Sequence, residues 1–458
     1  MRKTRTRKEA ETMKMKEAEN EREWAAEAGP KQAREERWEE WKLFHASPEV
    51  WTARMLAGLR KEIKGNKWYS LADKAWREDT LQAGFAKVKK NKGSAGSDGQ
   101  SIAALEANLK ANCAKLSQEL QSGRYQRRPV KRIMIPKAGG GERPLGISAV
   151  RDRVVETAIK MVIEPIFDVG FSLNSHGFRP GRGCRSALRA VRQELDSGKL
   201  WVVDADIQSY FDSIDHEILL SRVEGKISDG RLLKWIKDML KTPVFEGIRE
   251  WTPEEGSPQG SVLSPLLANL YLDTLDQELE ARGICFVRYA DDFVLLCKSQ
   301  EQAEEGLQCV REWCAANKLR LHPEKTRLLE ATAAEGFDFL GYHFRARKHW
   351  PSDKARKNLR RKLRRTNGRS LERSIELINP ILRGWFHYYK FCRRWQLEEM
   401  DAWVRMRLRS ILRKRRKRQG RGRGADHRRW PNAYFEEREL FSMVRAHAAF
   451  CESQVVNH

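Results

Sequence analysis

The sequence predicts a multidomain α+β protein. Its 458 residues are too many for one ordinary domain and favour two or three. Short strand-like runs alternate with helical patterns through the middle of the chain, and basic helical patterns follow toward the C-terminus. Hydrophobic residues make up 40% of the chain, which is enough to form a buried core and excludes a wholly disordered protein.

The first 50 residues predict a charged helical extension at the N-terminus. They contain 12 Lys and Arg against 12 Asp and Glu, so the segment is neutral overall. This charge-mixed, helix-favouring composition is typical of a helix that is exposed to solvent. A solvated helix without a ligand is therefore the simplest interpretation of these residues.

A strand, a glycine turn and a second strand are predicted in the next part of the chain. The runs KRIMIP (131–136) and RPLGI (143–147) are strand-like, and three consecutive glycines at 139–141 separate them. Lys137 and Arg143 flank the turn, so the hairpin would present two basic side chains. An exposed basic hairpin without a ligand is the alternative.

Carboxylates interrupt two apolar segments at positions where a core strand would not carry them. In WVVDADI (201–207), the period-two alternation of a strand places Asp204 and Asp206 on one face. The apolar run 284–297 stops at Asp291 and Asp292 and then resumes, which is typical of a hairpin with two carboxylates at its tip. Because burying such acids without compensation costs several kcal/mol, a cation is the expected partner.

Oxygen ligands from two strands suit Mg²⁺, which retains water and binds substrate phosphates. Two such ions about 3.5–4 Å apart activate a 3′-hydroxyl and stabilise a pyrophosphate leaving group. Two adjacent aspartates alone would usually form a polar turn, so the metal interpretation depends on the flanking sequence.

The positive charge of the chain is concentrated toward its C-terminus. The formal net charge is +25, and residues 343–430 alone carry 30 Lys and Arg against 7 Asp and Glu, a net charge of +23. The basic runs 354–365 and 403–418 have narrow apolar stripes at helical spacing, and an aromatic-rich segment lies between them. Basic helices with interleaved aromatic residues suit a nucleic-acid backbone with stacked bases. A solvated basic face packed on the main domain is the alternative.

The sequence favours a reducing, cytoplasmic environment. No run approaches the about 20 apolar residues needed to cross a bilayer, and the N-terminus shows no apolar signal region. The 8 cysteines form no CxxC pair, which argues against a disulfide scaffold and against a zinc module.

A series of ordered motifs resembles the group II intron-encoded reverse transcriptases and maturases. The segment RYADDF (288–293) in its hydrophobic frame is similar to the catalytic motif of that family, and INPILRGW (378–385) resembles its maturase segment. The similarity runs from about Trp68 to the C-terminus. The other motifs, in family order, are NKGSAGSDG (91–99), IPK (135–137) with RPLGI (143–147), SHGFRPGR (175–182), DIQSYFD (206–212), SPQG (257–260) and GFDFLG (336–341).

The resemblance is to the compact bacterial type that lacks the endonuclease domain. Beyond residue 345, the expected end of the palm, the only cysteines are Cys392 and Cys451, so no zinc-dependent endonuclease and no target-strand cleavage are expected. The resemblance implies a right-hand polymerase, with fingers and palm, followed by an α-helical basic thumb or maturase domain. The expected divisions are the N-terminal extension (1–50), the N-terminal and fingers region (51–200), the palm (201–345), the thumb or maturase domain (346–425) and a tail (426–458).

The resemblance also implies roles for individual residues. Asp206, Asp291 and Asp292 would be catalytic and, together with Ile207, would hold two metal ions. Phe211 would lie under the incoming sugar, where its ring would clash with a 2′-hydroxyl and favour deoxynucleotides; an ordinary core phenylalanine is the alternative. The other expected nucleotide contacts are Lys137, Arg143, Gln259, Gly260 and Lys325, and the expected RNA contacts are Arg360, Arg361, Arg364, Arg365, Arg413, Arg415, Arg416 and Arg418.

Several polar residues near these positions have plainer interpretations. Asp204 shares a face with Asp206 but is expected to be an acid at the surface or one behind the metal ligands, and Lys325 would otherwise be a surface lysine. His176, His216 and His322 are isolated in the sequence and are expected to be structural.

The function implied by the resemblance is RNA-directed DNA polymerisation combined with maturase activity. The enzyme would use two Mg²⁺ ions, with Mn²⁺ as a substitute, to extend a DNA primer with dNTPs on an RNA template. It would also bind group II intron RNA and so aid splicing and retrotransposition. A bacterial ribonucleoprotein in the cytoplasm, associated with the nucleoid and not with a membrane, is expected. A host-retained relative used in defence or repair, and an RNA-binding splicing cofactor with a vestigial polymerase, are the alternatives.

Overall fold

The computed structural model describes two compact units. The described residues are 47, 50–61, 67–136, 141–257, 260–366, 368, 370–422 and 424–456. The first unit ends at Glu330 and the second begins at Ala331. The predicted N-terminal extension, 1–50, lies outside the described residues except for Ser47 and Val50. Within these ranges, no helix is both long and apolar enough to cross a bilayer.

Helices make up most of the first unit before its central sheet. The most buried is α6, in which every residue is buried except Arg151, Arg153, Lys160 and Glu164, and its apolar side chains join the main hydrophobic core. The helices are α1 (Ala53–Lys61), α2 (Ala72–Ala75), α3 (Glu78–Asn91), α4 (Ile102–Glu106), α5 (Leu109–Gln121), α6 (Val150–Asp168) and α7 (Cys184–Asp196).

The predicted hairpin around the glycine turn is confirmed as strands β1 (Val130–Pro136) and β2 (Glu142–Ile147). The two strands pair antiparallel, and Ile135 lies opposite Arg143. Two later strands, β4 (Val244–Glu246) and β5 (Arg249–Trp251), extend this sheet in the order β2-β1-β4-β5.

The central sheet of the first unit has the strand order β6-β7-β3-β8. Val202, Val203 and the apolar residues of β7 are buried in it, and α7, α10 and α11 pack against its strands. Its strands are β3 (Trp201–Asp206), β6 (Cys285–Tyr289), β7 (Asp292–Cys297) and β8 (Arg327–Glu330), and the accompanying helices are α8 (His216–Lys226), α9 (Gly230–Leu240), α10 (Ser264–Ala281) and α11 (Gln300–Ala316).

The carboxylate of Asp229 caps the N-termini of two helices, α2 and α9. Asp229 Oδ2 accepts hydrogen bonds from the backbone N–H of Leu71 at 2.6 Å and of Ala72 at 2.8 Å, at the start of α2. Its Oδ1 accepts from the N–H of Arg231 and of Leu232, both at 3.1 Å, at the start of α9. Asp229 therefore satisfies N–H groups that two helix N-termini would otherwise leave unpaired.

The second unit combines a small sheet with basic helices around a core of its own. Leu359 and Leu363 of α12, and Val404 and Leu408 of α14, are buried in that core, as their helical spacing predicts. The sheet has the order β11-β10-β9. The elements are β9 (Phe337–Phe339), β10 (Tyr342–Arg345), β11 (Lys348–Pro351), α12 (Asp353–Arg365), α13 (Leu371–Tyr389), α14 (Arg394–Arg415), α15 (Ala425–Arg429), α16 (Asn432–Glu436) and α17 (Met443–Val456).

The compact units divide at a different position from the one expected for the end of the palm. The expected palm runs to Arg345, whereas β9 and β10 belong to the second unit. Hydrogen bonds explain this assignment, because Tyr342 Oη donates to the carbonyl of Tyr388 at 2.8 Å and Tyr388 Oη donates to that of Leu340 at 2.7 Å. The sheet that contains β9 and β10 is thus attached to α13.

Candidate active site

The main-chain pairing of the central sheet brings the predicted carboxylates together. Asp206 is the last residue of β3 and lies directly opposite Asp292, the first residue of β7. Asp291 lies in the turn that joins β6 to β7. The predicted hairpin with carboxylates at its tip is therefore present, and its tip lies beside the end of β3.

A buried arginine holds the turn of this hairpin from behind. Arg288 of β6 is 0% exposed, and its guanidinium forms an ion pair with both carboxylate oxygens of Asp276 on α10. The same guanidinium donates to Asn269 Oδ1 at 2.9 Å and to the carbonyl of Ala290 in the turn at 3.1 Å. Since Ala290 has a left-handed backbone (φ +60°), this bond stabilises a conformation that an alanine rarely adopts.

Gly177 packs directly on the same turn. A Cβ at this position would lie 2.3 Å from the backbone nitrogen of Ala290 and 2.8 Å from the carbonyl carbon of Tyr289. Asn269 Nδ2 donates to the Gly177 carbonyl at 2.7 Å, so one asparagine contacts both Gly177 and Arg288. The turn is thus held between a glycine and a buried polar network, neither of which the sequence motif alone reveals.

Asp291, Asp206 and Asp204 differ in the charged groups that surround them. Burial, together with the nearby charge of Asp206, raises the pKa of Asp291 above its ordinary value. Asp206 accepts a hydrogen bond from Lys325 Nζ at 2.7 Å. Asp204, on the same strand, instead pairs with Arg327 of β8 at 3.0 Å, in keeping with its interpretation as an acid outside the metal site.

An open cavity of about 770 Å³ lies in front of these carboxylates. Asp206, Ile207 and Asp291 line it, and so do four of the predicted nucleotide contacts. Asp292 does not line this cavity, although its backbone pairs with that of Asp206. The four nucleotide contacts are Arg143, Phe211, Gly260 and Lys325, whereas Lys137 and Gln259 lie outside the described residues.

Phe211 and Gly260 form part of the cavity wall in different ways. Phe211 is half-buried and packs edge-on against Tyr210 with the ring centroids 5.4 Å apart, so it is a wall residue and Tyr210 occupies the core. Gly260 has φ +115°, and a Cβ there would lie 2.2 Å from the carbonyl oxygen of Gly146 on β2. The absence of a side chain at Gly260 thus permits a close backbone approach to a neighbouring strand.

The donor set in the cavity suits a hard divalent cation. Asp206 and Asp291 both line the cavity, and Ile207, which is only 3% exposed, lines it as well. Carboxylate and carbonyl oxygens are ligands that Mg²⁺ accepts while it retains water. The described residues contain no metal-binding cluster of three or more His, Cys, Asp or Glu side chains. The side chains that fit such a cation are therefore those of Asp206 and Asp291, and substrate and water would supply the remaining oxygen ligands.

The sequence reasoning missed several residues that line the cavity. His322 was expected to be structural, but it lines the cavity, and its backbone N–H donates to the carbonyl of Asp206 at 2.8 Å. The sequence offered one indication that His322 lies near the site: it shares a short loop before β8 with Lys325, which was a predicted nucleotide contact. His176 and His216 fit the structural interpretation, since each has a ring nitrogen within hydrogen-bonding distance of Ser186 Oγ (2.9 Å) and of the Gly256 carbonyl (2.7 Å), respectively.

The predicted RNA-binding arginines lie on α12, on α14 and just after it. Some of them are engaged within the second unit: Arg360 pairs with Glu399 at 2.9 Å and lies over the ring of Trp403, and Arg413 pairs with Asp426 at 2.7 Å. The helix α14 begins at Arg394, before the predicted run 403–418, and ends at Arg415. The remaining predicted contacts are half-buried Arg361 and exposed Arg364, Arg365, Arg415, Arg416 and Arg418.

Two family models match adjacent parts of the chain. "Reverse transcriptase (RNA-dependent DNA polymerase)" matches residues 135–344, and "Group II intron, maturase-specific domain" matches residues 352–430. The first match contains all residues of the cavity described above, and the second contains the basic helices α12 and α14.

Named relatives cover different shares of the chain. Protein YkfC of Escherichia coli is 35% identical over 289 residues, which are 54% of this chain and 74% of that protein. Group II intron-encoded protein LtrA of Lactococcus lactis is 28% identical over 331 residues, 58% of this chain and 54% of LtrA, so the chain spans about half the length of that relative. A solved structure, "Partial Cas6-RT-Cas1--Cas2 complex", is 27% identical with a TM-score of 0.34 and covers 54% of this chain and 43% of its own.

Proposed function

This chain belongs to the group II intron-encoded reverse transcriptases with a maturase domain, and we propose from that premise that it copies an RNA template into DNA. The single observation that supports this function best is the pairing of Asp206 with Asp292 beside Asp291 at the edge of one open cavity. Carboxylates at such a position would hold the cations that stabilise the negative charge developing on the attacking and leaving oxygens during polymerisation.

Asp206, Asp291 and the Ile207 carbonyl would hold Mg²⁺, with Asp292 on the adjoining strand, and Mn²⁺ would serve as a substitute. When bound, the ions activate the primer 3′-hydroxyl and stabilise the pyrophosphate that leaves. No covalent enzyme intermediate is needed, because phosphoryl transfer depends on positioning and electrostatic stabilisation.

The other cavity residues would orient a deoxynucleoside triphosphate. Arg143 and Lys325 supply cationic groups for the phosphates, and the guanidinium of Arg143 can contact two phosphate oxygens at once. Phe211 lies in the wall close to Asp206, where a ring would oppose a 2′-hydroxyl and so favour dNTPs over ribonucleotides. Lys137 and Gln259, which are not among the described residues, are proposed as further nucleotide contacts.

The second unit would serve the maturase duty. Residues 343–430, which include the helices α12 and α14, carry a net charge of +23 out of the chain's +25, and Arg364, Arg365, Arg415, Arg416 and Arg418 are exposed. Such a surface would bind structured RNA through its phosphates. We propose group II intron RNA as its partner, with splicing and mobility as the outcome, in a ribonucleoprotein of the bacterial cytoplasm and nucleoid.

Primer extension tests the proposal. Purified protein with Mg²⁺ and dNTPs should extend a DNA primer on an RNA template, and Asp291→Ala should abolish the synthesis while RNA affinity is retained. Absence of extension by the unaltered protein, with tight RNA binding, would overturn the polymerase proposal and favour a splicing cofactor.

A further inference from the structure

A fully buried carboxylate connects the wall of the nucleotide cavity to the rest of the first unit. Glu156 lies on α6 and its side chain is 0% exposed. Its Oε2 accepts hydrogen bonds from Ser261 Oγ at 2.8 Å and from the backbone N–H of Val262 at 2.7 Å. Its Oε1 forms an ion pair with Arg127, which is itself only 8% exposed. A buried carboxylate without hydrogen-bond donors would destabilise the fold. Glu156 and its donors therefore hold one another in position.

These donors come from segments that are distant in the sequence. Arg127 lies just before β1, and its Nε also donates to Thr242 Oγ1 at 2.8 Å, just before β4. Ser261 and Val262 lie in the loop that leads into α10. Glu156 therefore fixes that loop relative to the sheet that contains β1, β2 and β4.

The loop and β2 form one wall of the cavity. Gly260, Ser261 and Leu145 of β2 line it, together with Asp206 and Asp291. Gly260 permits the contact, because any Cβ there would lie 2.2 Å from the carbonyl oxygen of Gly146. Glu156 itself does not line the cavity, so it acts on this wall only through Ser261 and Val262.

We propose that Glu156 is a positioning residue for the incoming nucleotide: it sets the place of the wall formed by Leu145, Gly260 and Ser261. The proposal rests on the polymerase function above. A displaced wall weakens nucleotide binding but leaves Asp206 and Asp291 where they are, so the KM for dNTP changes more than kcat. If Glu156 only supported the fold, its replacement would lower stability and leave the KM of the folded protein unchanged.

Single-nucleotide incorporation by the full chain on a fixed primer and RNA template tests this role. Glu156→Gln retains the shape of the side chain but loses the charge opposite Arg127. We expect the KM for dNTP to rise about tenfold, which is less than the roughly hundredfold effect that a misplacement of about 1 Å can have, while kcat and primer–template affinity stay near the unaltered values. The matched control is Asp229→Asn, another carboxylate of the first unit, which should lower stability without changing either constant.

An unchanged KM in folded Glu156→Gln would overturn the proposal. If that variant fails to fold by circular dichroism, Arg127→Lys takes its place, because lysine keeps the charge but lacks the planar guanidinium whose separate nitrogens bond Glu156 and Thr242. A raised KM in Arg127→Lys supports the role and an unchanged one overturns it. An unaltered chain that incorporates no nucleotide would instead overturn the polymerase function, and the role of Glu156 in it would fall as well.

Discussion

Lys325 Nζ donates a hydrogen bond to Asp206 Oδ2 at 2.7 Å, and the lysine side chain is 61% exposed. The ammonium group therefore lies against the carboxylate that would bind a cation. Arg327 pairs with Asp204 on the same strand at 3.0 Å and is 50% exposed, which provides a closely matched second pair that does not line the cavity.

The lysine should compete with a divalent cation for Asp206. Lys325→Met should tighten Mn²⁺ binding by up to about fivefold, since an exposed ion pair is worth about 0.2–1 kcal/mol, and should raise the KM for dNTP because a phosphate contact is lost. Calorimetric Mn²⁺ titration without nucleotide measures the first effect. Arg327→Met should leave Mn²⁺ affinity nearly unchanged; an equal gain in both variants would show a general charge effect.

Asp291 should limit stability while it enables activity. Its raised pKa, caused by burial and then by Asp206, means that folding favours the protonated form. Its contribution to stability is therefore present below the ordinary aspartate pKa and is lost as the pH rises through the raised value. At neutral pH with chelator, Asp291→Asn should melt at a higher temperature than the unaltered protein, yet polymerise at least about a hundredfold more slowly. A lower melting temperature would contradict the electrostatic account.

The buried pair of Arg288 and Asp276 should be the most sensitive support of the hairpin turn. Asp276→Asn leaves a guanidinium that is fully buried and uncompensated, so the free energy of unfolding should fall by about 3–5 kcal/mol. Urea denaturation measures the loss. The surface pair of Lys234 and Asp238, whose side chains are 70% and 46% exposed, supplies the control: Asp238→Asn should change stability by about 1 kcal/mol or less.

Gly177 should influence catalysis through the turn alone. In Gly177→Ala the new methyl group would push against the Ala290 nitrogen, so kcat should fall at least about tenfold while primer–template affinity is retained. Gly183→Ala is the control, because a Cβ at Gly183 meets nothing within 4 Å. Equal activity of the two variants would mean that the turn adjusts freely.

Asp229 should give the protein an acid-sensitive part of its stability. Burial alone would raise the pKa of Asp229. Hydrogen bonds from four backbone N–H groups nevertheless hold this pKa below its ordinary value; the donors are Ala72, Leu232, Leu71 and Arg231. Its contribution is thus present above the ordinary aspartate pKa and is lost as the pH falls through the lowered value. Asp229→Ala should cost about 1–2 kcal/mol for each capped helix at neutral pH. Unfolding measured against pH should show this difference shrinking in acid, and a constant difference would contradict it.

The sequence could predict the parts of the site that follow from local pattern. Asp206 and the 291–292 turn were predictable because strand alternation and an interrupted apolar run leave few other arrangements. The support from Asp276 and Glu156 was not, since an acid on a helix normally faces solvent and only tertiary packing reveals that these two are buried. The second unit shows the same limit: α12 follows from its apolar stripe, whereas the attachment of β10 to α13 depends on long-range hydrogen bonds.

The position of β3 in the central sheet also affects how the chain folds during its synthesis on the ribosome. Both neighbours of β3, the strands β7 and β8, are encoded later, and β7 ends at Cys297. At about 5–20 residues per second, the roughly 90 residues between them take on the order of 5–20 s to synthesise. During that interval the nascent strand has two unpaired edges, so we expect the emerging chain to engage a chaperone until the hairpin of β6 and β7 is complete.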